Sequence, residues 1–189
     1  GRRLSGPDPM TTHVTVMPEQ FTLVAYDANR IAEIVRDLAS LLGLSNPMAV
    51  EVDERTPLSK MSAVVAGTSS DHTITLRLQS GALEDTKHLT NFSEAHARRS
   101  LGQVMLRAKD RLRPDFADAP DDLALTNAQN TAWDVYCGGR LERLGLDPIQ
   151  QRYRYDFRNR FGFSDEVDCV FDQLWSADDL GWHDLPTVP

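Results

Sequence analysis

From Asp27 onward the apolar positions Ile31, Ile34, Val35, Leu38, Leu41 and Leu42 recur at helical spacing. Asp27 is placed to cap the first turn of that helix and Gly43 to stop the last. Residues 48–55 then alternate Met48, Val50 and Val52 against Ala49, Glu51 and Asp53, the period of a strand with one wet face. The runs 60–67 and 72–79 have the same character, with a turn at 68–71 between them. In the second run Ile74, Leu76 and Leu78 point one way, and Thr73, Thr75, Arg77 and Gln79 the other. These predict a small sheet of about three strands, mixed or antiparallel.

A second long helix is predicted over 93–112, with Asn91 and Glu94 spaced as a capping box and Pro114 ending it. Ala97, Leu101, Val104, Ala108 and Leu112 form its apolar stripe, and His96, Arg99, Gln103 and Arg107 lie on the other side. The acidic segment 115–122 reads as a loop. A helix follows over 128–144, although Gly138 and Gly139 each cost it about 1 kcal/mol relative to alanine. Residues 152–163 are aromatic and basic with no helical stripe, and 164–175 form a helix capped by Ser164. The last residues, 176–189, read as an acidic, partly extended tail. The fold class is therefore α+β: one domain over 13–189 with helices packed on a small sheet. Residues 1–12 read as a flexible arm or a cloning remnant, with Met10 as the natural start.

With 189 residues, 41% of them hydrophobic, the chain can bury one ordinary core. A formal charge of -8 argues against a protein dominated by attraction to phosphate backbones. Cys137 and Cys169 form neither a CxxC pair nor a zinc-finger cluster, and two cysteines fit a reducing, cytoplasmic location. No apolar run approaches the roughly 20 residues needed to span a bilayer, so no membrane association and no export are expected.

The order helix, two or three strands, long helix, then further helices resembles the core of the zincin-like metallopeptidases. In that family the helix after the sheet carries H-E-x-x-H, whose two histidines hold zinc while the glutamate activates water. RSLGQ at 99–103 aligns with the motif. The alignment puts Arg99 and Gln103 at the ligand positions, Ser100 at that of the base, and Leu101 and Gly102 at positions without chemistry. An arginine stays protonated and is no zinc ligand. The resemblance implies a scaffold that has lost its metal, with Arg99 and Gln103 facing a groove beside the edge strand of the sheet.

Other chemistry is sparse. A metal site could be rebuilt from His88, His96 and Asp134 or Glu94, which would make the chain an atypical metal-dependent hydrolase; solvent-facing or capping histidines are the simpler expectation. No nucleophile elbow and no glycine-rich phosphate loop is present. Cys137, between Tyr136 and Gly138, reads as a small buried apolar group. No cofactor is predicted.

Charge is the more informative feature. Arg98, Arg99, Arg107, Lys109, Arg111 and Arg113 crowd one helix, and Arg152, Arg154, Arg158 and Arg160 are interleaved with aromatics. Arginines beside exposed aromatics suit a single-stranded nucleic acid or a phosphorylated partner. Residues 164–189 hold seven acids and no Lys or Arg, so pairing within the fold or across a homodimer is expected ahead of nucleic-acid binding. The functional expectation is a non-catalytic interaction or regulatory domain that binds a protein or acidic ligand, with Arg99, Gln103, Arg107, His96, Arg152 and Arg154 as contacts.

Overall fold

A computed structural model describes residues 12–185 of the chain. The fold is α+β. Strand β1 (Val14–Met17) leads through helix α1 (Ala28–Leu42) to β2 (Met48–Asp53), and then come β3 (Met61–Val65) and β4 (Ile74–Gln79). Helix α2 (Glu94–Arg111) follows, then α3 (Asn127–Arg143), α4 (Gln150–Phe161) and α5 (Asp165–Ser176). The sheet order is β1-β2-β4-β3: β1, β2 and β4 are parallel, and β3 is an antiparallel edge.

The period-2 pattern decides which face of the sheet is covered. Val14, Val16, Met48, Val50, Val52, Ile74, Leu76 and Leu78 are all buried. Their alternates Thr15, Met17, Glu51, Asp53 and Arg77 are exposed. Helix α1 lays Ile31, Ile34, Val35, Leu38 and Leu42 into the core. The Asp27 side chain accepts from the Asn29 N–H, and Gly43 takes the left-handed conformation (φ 69°) that closes the C-terminus.

Four expectations are corrected. The sheet has four strands, because the short VTVM segment forms β1; four residues of alternation are too few to stand out in a sequence. Ser93, not Asn91, caps α2, its hydroxyl accepting from the His96 N–H. Residues 150–161 form α4, whose buried side is narrow: Phe157 is buried while Tyr153 and Phe161 are half-buried. The tail is docked as far as it is described. Trp182 packs on Trp133 and Phe116, with ring centroids 5.7 and 6.5 Å apart, and Leu185 is buried. Thr12 also belongs to the fold, since its buried hydroxyl donates to the Leu44 carbonyl. The expected arm at 1–11 and the tail beyond 185 lie outside the described residues.

Helix α2 is the central element. One side meets the sheet and α1, and α3 covers another, so Gln103, Arg107 and Asp110 are buried along with the apolar stripe. Asp110 accepts two hydrogen bonds from Arg140 (2.8 and 2.7 Å) and one from the Trp133 indole (2.8 Å). Helices α4 and α5 then pack on α3. Glycine allows this approach: a Cβ on Gly139 would sit 1.8 Å from the Trp175 carbonyl oxygen. Among the described residues no helix is long and apolar enough to cross a membrane.

Candidate binding cleft

A cleft of about 450 Å³ opens between α2 and α4, with α3 behind it and Met61 of the edge strand at its rim. From α2 it is lined by His96, Arg99, Ser100 and Gln103. The two residues aligned with zinc-ligand positions, Arg99 and Gln103, therefore line one cleft beside β3. Helix α4 adds a ridge on which Arg152, Asp156 and Arg160 follow at four-residue intervals, so that all three face one way.

The back wall is a hydrogen-bond network. Gln103 Nε2 donates to Asp134 Oδ1 (2.8 Å), which also receives Arg107 Nη2 (2.5 Å). The carboxylate can only accept, so the Gln103 amide turns its oxygen outward to take the Tyr153 hydroxyl (3.0 Å). Burial first, and the charge of Asp134 next, push the Tyr153 phenol above its ordinary range and keep it a donor. Arg107 also bonds Asn130 and lies 5.0 Å from the centre of the Trp133 ring.

The front of the cleft differs. His96 Nδ1 lies 2.8 Å from the Glu84 carbonyl oxygen, so Nδ1 carries the proton and Nε2 is left for the cleft. Arg36, Arg55, Arg99, Arg152 and Arg160 have no carboxylate partner among the described residues; every other described arginine has one. Three of those five converge on this cleft. The first turn of α4 adds to the positive potential: its N-cap is Ile149, with no side-chain cap, and Ile149 lines the cleft.

The expected contacts thus separate. Arg99, His96 and Arg152 meet in the cleft. Gln103 lines it but is 6% exposed and committed to Asp134 and Tyr153. Arg107, expected as a surface contact, is 7% exposed, because α3 covers that side of α2. Arg154 faces α5 instead, 2.6 Å from Asp172 and stacked on Phe171.

The acids of the last quarter do pair with the basic segments. Asp168 binds Arg158 through both oxygens (2.8 and 2.7 Å), Asp172 binds Arg154, and Asp179 binds Arg113; Asp178 binds Arg143, outside those segments. The basic sequence segments therefore do not form one continuous basic face. Arg160 and Tyr153 were not among the expected contacts. The signal for Arg160 was the four-residue spacing of 152, 156 and 160, which carries meaning only once 150–161 is known to be helical; Tyr153 had none.

Metal chemistry finds no support in the donor set. Among the described residues no group of three His, Cys, Asp or Glu side chains could hold an ion. His88 is exposed in a loop beside Asp85, Glu94 pairs with Arg30 and Arg98, and Asp134 is engaged by Arg107, so the rebuilt site envisaged from His88, His96 and an acid is not assembled. Zinc, which the zincin resemblance implies, does not fit Arg99 and Gln103 either. Burial, the largest cause, pushes the Cys137 thiol up to about 12, which removes it as a nucleophile at neutral pH. The chain matches no protein-family model, no curated protein and no solved structure.

Proposed function

We propose that this chain is a non-catalytic binding domain on a zincin-like scaffold, and that its cleft takes an acidic ligand. The observation that carries the reading is the convergence on one cleft of three arginines without carboxylate partners among the described residues, while the nearby cation Arg107 is internally neutralised. An edge strand beside the polar side of the helix after the sheet supports the scaffold part of the reading.

Charge reversal tests the ligand part. Wild-type protein at low salt is expected to raise the fluorescence anisotropy of a labelled hexaglutamate peptide. The R99E/R152E variant is expected to weaken that binding about tenfold or more, as loss and inversion of interfacial charge does. Neither side chain makes an ion pair among the described residues, so the melting temperature should stay within about 2 °C of wild type. Undiminished binding by a folded variant would remove the reading.

The scaffold part has its own test. Arg99→His, Ser100→Glu and Gln103→His together place two imidazoles one turn apart and a glutamate between them. Two imidazoles at this spacing are the minimal zinc pair of the H-E-x-x-H motif, with water free to complete the coordination. About one zinc per chain by plasma mass spectrometry is expected for the triple variant and none for wild type. A folded triple variant without zinc would overturn the scaffold part and leave the ligand part standing.

A further inference from the structure

Resting on the proposal that the cleft takes an acidic ligand, the geometry points to what that ligand is: an extended acidic segment of a partner polypeptide, held through two carboxylates about four residues apart. Three observations converge on this.

The first is the layout of charge. Arg152 and Arg160 stand eight residues apart on one side of α4, which is about 12 Å along the helix. Asp156 lies midway between them in the sequence and lines the same cleft. The cationic positions are therefore two, separated by a negative one. Arg99 and His96 of α2 belong to the same cleft, and His96 joins Arg152 where it continues into the next cavity. A lone carboxylate pairs with one of these positions at a time. Two carboxylates on an extended chain, at about 3.3 Å per residue, bridge the distance with about four residues.

The second observation is shape. Past His96 and Arg152 the cleft runs into an open cavity of about 850 Å³ flanked by Leu58 and Leu89, which are 64% and 76% exposed. At its back it meets a recess of about 160 Å³ beside Gln103 and Asp134. A small molecule fills one such space; a chain segment fills a line of them, and two exposed leucines give it apolar contacts beyond the acids.

The third is what the edge strand can offer. The Ala63 N–H, an outward donor of β3, is taken by the buried Asp122 carboxylate at 2.7 Å, which also pairs with Arg111. A ligand cannot add to the sheet there as another strand would, so recognition rests on side-chain charge. The overall charge of -8 repels long polyanions at a distance, which favours a short acidic segment over a nucleic acid.

The test uses the full chain and a set of labelled twelve-residue Gly/Ser peptides with two glutamates separated by one to eight residues. Single-glutamate and glutamine peptides, tripolyphosphate and a single-stranded oligonucleotide complete the set. Affinity is expected to peak near a spacing of four, about fivefold above the single-glutamate peptide, the gain of one further exposed ion pair. Arg160→Gln should flatten the spacing dependence, bringing every two-glutamate peptide down to one common affinity, while Arg99→Gln should weaken every peptide. Spacing-independent binding, or an oligonucleotide that outcompetes all peptides, would overturn the assignment. Arginine-dependent binding of tripolyphosphate alone would overturn the polypeptide and keep the acidic-ligand reading; binding of no probe at all would overturn both.

Discussion

Replacing Asp110 by alanine is expected to lower the unfolding free energy by about 3–5 kcal/mol, the range for breaking a buried ion pair from one side. The carboxylate is 1% exposed, and the Arg140 side chain it holds is 11% exposed. Removing it leaves a guanidinium and the Trp133 indole N–H buried without their acceptor, between the two helices at the centre of the molecule. Urea unfolding of Asp110→Ala should show the loss as a lower midpoint with an unchanged slope. The double variant Asp110→Leu/Arg140→Met separates the causes. If the single loss is the cost of a stranded charge, the apolar pair should recover most of it. A double variant as unstable as Asp110→Ala would show that the pair itself supplies the stability.

The second large effect is expected at Gly139. Alanine in the middle of α3 would gain about 1 kcal/mol in helix propensity. Its Cβ would, however, stand 1.8 Å from the Trp175 carbonyl oxygen, and that oxygen is backbone and cannot swing aside. The same carbonyl accepts from Arg143 at 2.7 Å, so pushing α5 away also disturbs the clamp in which Arg143 binds Trp175, Ala177 and Asp178. A net loss of about 2 kcal/mol in denaturant unfolding is expected, within the range for overpacking. A stabilised Gly139→Ala protein would mean that α3 and α5 are not in contact as described.

The predicted elements that held were those whose side chains repeat over three turns or three alternations. Helix α1, with its cap at Asp27 and stop at Gly43, and strands β2 and β4 are of this kind. Strand β1 was too short, and α4 was hidden because its polar residues are needed at the cleft and at α5. Of the candidate site, His96, Arg99 and Arg152 were legible as charged positions. That Arg154 and Arg107 serve the interior was not, since a guanidinium in a sequence does not announce its carboxylate.

The sequence by itself determined the α+β class, the covered face of the sheet and the excess of acid, because each follows from local periodicity or from composition. Only the tertiary structure decided which arginines are free. Asp168, Asp172, Asp178 and Asp179 lie ten to sixty-six residues from their partners, and whether each reaches one depends on how α3, α4 and α5 pack. Ion pairing acts over a few ångströms, so a difference in packing separates a neutralised guanidinium from one that faces a cleft.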